Sequence, residues 1–123
     1  MTYEPFDVVV VPFPFTNSSR TKRRPALVLS QKTDFGAVIE YSVLAMITSQ
    51  KNEPWPLDVP IKNKKQSGLT AASIVRMKLF TLDNRFILRK IGRLTKSDQM
   101  QVKESLTKIF GKQPIFDESS IEI

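Results

Sequence analysis

Four valines in succession, Val8 to Val11, closed by Pro12, leave residues 7–13 (DVVVVPF) little alternative to an extended strand. β-branched side chains are stiff at χ1 and suit a pleated, half-buried surface. Pro12 and Pro14 cannot donate to a ladder, so they mark the end of the strand or an edge bulge. Strand-like segments recur along the chain, separated by Pro, Gly and polar turns. Residues 14–24 (PFTNSSRTKRR) form a polar loop ending in bases, and PALVLS at 25–30 is a short buried strand. A turn at 31–36 holds Asp34 and Gly36, and AVIEYSVLAMITS at 37–49 is a long strand. A loop at 50–56 (QKNEPWP) leads to LDVPI at 57–61, an edge strand because of Pro60. NKKQSG at 63–68 is a turn.

SIVRMKLF at 73–80 alternates, with Ile74, Arg76 and Lys78 on one face and Val75, Met77 and Leu79 on the other. LDN at 82–84 turns the chain into a last strand, RFILRKIGRL at 85–94. Thr95 then reads as a helix N-cap with Asp98 three residues on. Val102, Leu106, Ile109 and Phe110 share one face of a 3.6-residue period, and Gly111 stops the helix. The expected fold is mainly β: an antiparallel sheet closing on itself, with one C-terminal helix at about 95–111 packed against it. Residues 1–111 make a single domain and 112–123 an acidic tail. No apolar run approaches the length of a membrane span. Glu4 and Asp7 precede the valines with no basic stretch ahead of them, so the N-terminus reads as a strand and not a signal peptide. A cytoplasmic protein is expected.

Composition narrows the chemistry. With no cysteine and no histidine among 123 residues, disulfides, thiolate nucleophiles and histidine triads are excluded, and a zinc, haem or copper site is a poor fit. No metal and no cofactor are expected. The net charge is +7; eighteen of the nineteen bases but nine of the twelve acids fall in residues 1–111, a net +9 there. A basic body suggests a polyanionic partner.

Four features could meet a phosphate or a base. Ser19-Arg20-Thr21-Lys22-Arg23-Arg24 delivers four bases to the mouth of a strand, either as phosphate forks or as a solvated charge run. Thr48 and Ser49 leave the long strand as turn formers or as donors beside a phosphate. Arg76 and Lys78 line a groove or a solvated face. Trp55, between Pro54 and Pro56, stacks on a base or plugs the core edge. There is no Walker-type loop and no close carboxylate pair. RNA cleavage stays open because RNA supplies its own nucleophile, the 2′-hydroxyl.

The order DVVVVPFPF, KRRPALVLS, a strand ending ITS, GL with S-IV-R, T-x-D, an IGRL strand and a final helix resembles the MazF/PemK-type toxins of bacterial toxin–antitoxin systems. The resemblance covers roughly residues 5–111. It implies a small SH3-like antiparallel β-barrel with a C-terminal helix. It also implies a homodimer, a metal-independent endoribonuclease acting on single-stranded RNA, and neutralisation by an antitoxin whose acidic, disordered segment covers the RNA groove. Residue by residue, Arg24 matches the family's catalytic arginine and Thr48 its strand-ending threonine, with Ser49 alongside. Arg76 falls where some members carry an active-site arginine two residues before an acid. Here that acid is replaced by Lys78, and the histidine of some members is absent. The catalytic set implied is therefore Arg24, Thr48, Arg76 and Lys78, with Lys78 a base if buried. Arg20, Lys22, Arg23, Ser49 and Trp55 hold RNA. Two alternatives share the fold: a non-catalytic member binding RNA or only the antitoxin, and a gyrase-directed poison acting through its last helix.

Overall fold

A computed structural model of the chain describes residues 3–13, 22–32 and 40–111. The elements, in chain order, are β1 (Asp7–Phe13), β2 (Lys22–Val28), β3 (Tyr41–Ser49), β4 (Val59–Pro60), a single-turn helix α1 (Lys64–Ser67), β5 (Ser73–Asp83), a 3-10 turn (Asn84–Phe86), β6 (Arg89–Arg93) and α2 (Lys96–Phe110). The six strands form one antiparallel sheet in the order β4-β5-β3-β2-β1-β6, curled into a half-barrel with α2 packed against it. This is the SH3-like arrangement with a C-terminal helix that the sequence implied.

The valine run is explained by burial on both faces of the sheet. Val8 joins one core with Leu27, Ala45, Ile47 and Val102, while Val9 and Val11 join a second with Ala26, Val28 and Leu44. A strand covered on both sides needs no polar alternation.

The sheet is not closed by a ladder between its outer strands β4 and β6. Instead α1 and the residue after it lie against β6. A Cβ on Gly92 would stand 2.3 Å from the Ser67 backbone, and one on Gly68 2.0 Å from the Ile91 carbonyl oxygen. Two glycines therefore permit backbone-to-backbone closure.

Several elements differ from the sequence expectation. The three bases Lys22, Arg23 and Arg24, read as the end of a loop, begin β2: Phe13 pairs with Lys22, Pro12 with Arg23 and Val11 with Arg24. Cross-strand pairing outweighs the weak strand propensity of Lys and Arg. The long strand expected from residue 37 is extended from Tyr41, after Glu40 at φ 55; residues 37–39 lie outside the described residues. NKKQSG is a helical turn, since the Asn63 side chain accepts from Gln66 N and Gly68 takes the left-handed position. The single strand expected at 85–94 is shortened to β6 by the 3-10 turn that Asp83 caps.

Helix α2 starts at its predicted cap, where Thr95 Oγ1 accepts from Asp98 N at 3.2 Å, and it ends at Gly111. Its buried stripe, however, runs through Asp98, Val102 and Ser105, with Leu106 half-buried, while Ile109 and Phe110 are exposed. The polar pair is buried because it ties down the segments on either side of β4. Asp98 Oδ2 accepts from Lys62 N and Asn63 N, and Ser105 Oγ donates to the Leu57 carbonyl at 3.0 Å.

Candidate functional site

Two depressions adjoin on the sheet, and Arg24, Ile47 and Thr48 line both. One, of about 230 Å³, is bordered by Phe13, Trp55, Arg76 and Lys78. The other, of about 450 Å³, is bordered by Arg23, Ser49, Ser73 and Arg89. No carboxylate among the described residues lines either one. The lining carries Arg23, Arg24, Arg76, Lys78 and Arg89, an excess of positive charge that suits a polyanion.

Arg24 reaches this place because β2 starts early and sets it opposite Val11 in the middle of a ladder. Its guanidinium carbon lies 5.8 Å from the Phe13 ring centroid. Its Nε is buried and has no hydrogen-bond partner among the described residues. A buried donor left unpaired costs about 1–3 kcal/mol, which makes this Nε a position where an added acceptor would be favourable.

Thr48 sits near the end of β3, where its hydroxyl oxygen accepts from Asn52 Nδ2 at 2.6 Å. With the oxygen so engaged, the hydroxyl hydrogen is free to point outward as a donor. Ser49 Oγ accepts from Lys51 N at 3.2 Å and is partly committed to its turn. Here the turn-forming and ligand-facing readings of Thr48-Ser49 coexist.

Arg76 is engaged differently. Its Nε and Nη2 donate to the two oxygens of Asp58 at 3.2 and 3.0 Å, and Nη2 also donates to the Glu53 carbonyl at 2.7 Å. The Arg76 and Asp58 side chains are only 11% and 10% exposed. The Arg76 guanidinium also lies 4.8 Å from the centre of the Trp55 ring, and Lys78 Nζ lies 5.9 Å from it. Trp55 itself is 45% exposed, so it does not plug the core.

A bulge explains how Arg76 and Lys78 differ. Met46 pairs with Arg76 but the preceding Ala45 pairs with Leu79, which leaves Met77 and Lys78 outside the register. Strict alternation is therefore lost: Ile74 is buried, Arg76 half-buried and Lys78 exposed. The sequence reading of Lys78 as a base required burial, and it stands instead on the rim. Lys22 and Arg23 are exposed on β2, with Arg23 lining the larger depression; Arg20 lies outside the described residues. Thus Arg24, Thr48, Trp55, Arg76 and Lys78 meet at one depression, and Arg23, Arg24, Thr48 and Ser49 at its neighbour.

Sequence reasoning did not find Asn52, Asp58 or Arg89. Asn52 lies four residues after Thr48 within a polar loop, a spacing with no signal of its own. Asp58 is brought to Arg76 only by the pairing of β4 with β5. Among the described residues no group of three or more His, Cys, Asp or Glu side chains comes together that could hold a metal ion.

A family model described as "PemK-like, MazF-like toxin of type II toxin-antitoxin system" matches residues 4–110. No curated protein matches the chain. Among solved structures, it is similar to a chain of the MazE–MazF crystal structure from Deinococcus radiodurans. The TM-score is 0.73 at 19% identity, covering 92% of this chain and 100% of that one. The Mycobacterium tuberculosis toxin MazF-mt6 aligns with a TM-score of 0.67 at 21% identity, over 85% of this chain and 95% of that one. An endoribonuclease in complex with its cognate antitoxin, from a mycobacterial species, aligns with a TM-score of 0.68 at 13% identity, over 89% and 94% of the two chains. At these identities the structural likeness establishes the fold.

Proposed function

The chain belongs to the PemK-like, MazF-like toxins of type II toxin–antitoxin systems, and from that premise we propose that it is a metal-independent endoribonuclease cutting single-stranded RNA. The observation that carries this reading is Arg24, a half-buried arginine whose buried Nε has no hydrogen-bond partner among the described residues, lining with the hydroxyl of Thr48 both of two adjoining cationic depressions. A phosphodiester at that pair places its neighbouring nucleotides in the two depressions.

The chemistry follows from these groups. The ribose 2′-hydroxyl attacks the adjacent phosphorus in line, the bond to the 5′-oxygen breaks, and a 2′,3′-cyclic phosphate and a 5′-hydroxyl remain. Arg24 and the Thr48 hydroxyl donate to the non-bridging oxygens as negative charge accumulates there. Arginine holds its proton too firmly to be a good acid, so its first role is charge stabilisation. Lys78 adds a cation at the rim. Arg76, committed to Asp58, acts by shaping the loop that carries Trp55. Arg20, Lys22, Arg23 and Ser49 hold the strand, and Trp55 meets a base. The partners are single-stranded RNA and an antitoxin with an acidic segment matching the cationic groove. The working form is a homodimer in the cytoplasm. No helix among the described residues is long and apolar enough to cross a membrane.

The test is cleavage of a long single-stranded RNA in EDTA by the antitoxin-free protein and by Arg24→Ala, read on a sequencing gel. Discrete cuts by the wild type that vanish in the variant are expected. Intact RNA with a folded wild type sinks the ribonuclease reading and leaves a binding-only or protein-directed toxin.

A further inference from the structure

The loop between β3 and β4 is tied down at almost every residue that faces the site. Asn52 N donates to the Ser49 carbonyl at 3.2 Å, and the Asn52 amide holds Thr48. The Glu53 carbonyl accepts from Arg76. Trp55 N donates to Asp58 Oδ2 at 2.7 Å, and Asp58 N returns a bond to the Trp55 carbonyl at 3.3 Å. Helix α2 holds the Leu57 carbonyl through Ser105. Leu57 itself has φ 68, a left-handed conformation that a leucine adopts only when its surroundings impose it. A surface loop with no role in binding gains nothing from such constraint. What the constraint delivers is one large aromatic ring, 45% exposed, at the edge of the depression that Arg24 and Thr48 share.

We propose that this loop is a prebuilt platform for one unpaired nucleobase next to the scissile phosphate, and that Asp58 is the positioning residue that sets it. The inference rests on the ribonuclease reading and deepens it. Trp55 stacks on the base. The Arg76 guanidinium packs on the ring and Lys78 lies near it, so the ring is held by two cations. Asp58 touches no substrate. Its Oδ2 accepts from both Trp55 N and Arg76 Nη2, and its Oδ1 accepts from Arg76 Nε, so the carboxylate ties the tryptophan's main chain to the sheet side chain beneath it. Because the platform forms before RNA arrives, ordering it costs nothing at binding.

Trp55 is the chain's single tryptophan, so its emission reports on the platform alone. The experiment titrates the full chain with an oligoribonucleotide spanning a mapped cut, with 2′-deoxyribose at the cut so that it binds without reacting. Wild-type emission should change on binding. Trp55→Ala should raise the dissociation constant about tenfold, as expected for one lost base stack, and Trp55→Phe should recover most of that loss. Asp58→Asn keeps size but loses the charge, and it sets an amide NH2 against one of the donors that the two carboxylate oxygens satisfy, Arg76 Nε, Arg76 Nη2 and Trp55 N. It should blunt the emission change and raise KM about tenfold while kcat moves less than about twofold. The double variant Asp58→Asn with Trp55→Ala should lose no more than Trp55→Ala, because the two act as a unit. A single abasic site beside the cut should likewise add nothing to Trp55→Ala. If Asp58→Asn proves unstable to heat, the comparison of Trp55→Ala and Trp55→Phe with the abasic oligonucleotide decides the platform. Cleaving wild type with unchanged emission, or Trp55→Ala binding as tightly as wild type, overturns the platform and leaves the ribonuclease reading intact. Unchanged KM in a folded Asp58→Asn overturns the role of Asp58. Wild type that neither binds nor cuts RNA overturns both.

Discussion

Removing Arg24 should abolish activity while leaving the fold almost untouched, a combination that few half-buried arginines permit. Its side chain has no ion pair and no hydrogen bond among the described residues, and its Nε is buried without a partner. Truncation to alanine therefore strands no other group among the described residues. It loses the contact of the guanidinium with the Phe13 ring and the burial of part of the stem, worth about 1–2 kcal/mol, and relieves an unpaired donor whose burial costs about 1–3 kcal/mol. These offset, so the net change in stability should stay within about 1 kcal/mol, about 4 °C in Tm for a domain of this size. Catalysis has no such offset. One preorganised donor to a developing oxyanion is worth about 10²–10³ in rate. A guanidinium that presents two donors to one phosphate should be worth about 10³–10⁴. The assay is single-turnover cleavage at saturating protein, paired with thermal unfolding of the same samples. Arg24→Lys keeps the charge without the planar fork and should recover only part of the rate. Cleavage by Arg24→Ala within tenfold of wild type, or a Tm loss above about 8 °C, would refute the argument that this arginine is reserved for a ligand.

The neighbouring arginine should behave in the opposite way. Arg76→Ala leaves the Asp58 carboxylate, 10% exposed, without its ionic partner, and should lower stability by about 3 kcal/mol in urea unfolding. A loss below about 0.5 kcal/mol would show that the pair contributes little. Gly92→Ala drives a methyl to 2.3 Å from the Ser67 backbone, and its cost should be about 3 kcal/mol, since only movement of α1 away from β6 makes room. An unchanged urea midpoint would show that the barrel closes by other means. The Asp83 carboxyl is held below its ordinary range by hydrogen bonds from the Arg85 side chain and then from its backbone amide. A lowered folded pKa contributes stability that is complete above about pH 4 and is lost as pH falls through the folded value. Asp83→Asn should therefore have the lower urea midpoint at pH 7, with the two proteins converging towards pH 2; a gap that persists at pH 2 would point to a neutral, structural role.

The architecture was largely legible in the residues because it depends on local chemistry. Four valines cannot avoid a strand, and Thr95 with Gly111 brackets a helix whatever surrounds it. An RRPALVLS segment running into a strand that ends ITS was enough to indicate the family. Arg24 and Thr48 were named from that order and do line the same two depressions.

What the residues alone did not reveal depends on partners distant in the chain. Lys22 to Arg24 look like loop until β1 supplies a ladder for them. Asp58 and Arg76 are 18 positions apart, and only the pairing of β4 with β5 makes them a pair. The bulge opposite Met46 moves Lys78 to the rim, although simple alternation places it beside Arg76. Ile109 and Phe110 fit the helical period, yet α2 buries Asp98 and Ser105 because the segments flanking β4 need an acceptor and a donor there. Sequence by itself determined which segments extend, which one coils, and the sign of the charge they carry, since backbone propensity and charge are properties of neighbouring residues. Only the tertiary structure decided which arginine is paired and which has no partner among the described residues, because hydrogen-bond satisfaction is a property of the whole packed chain.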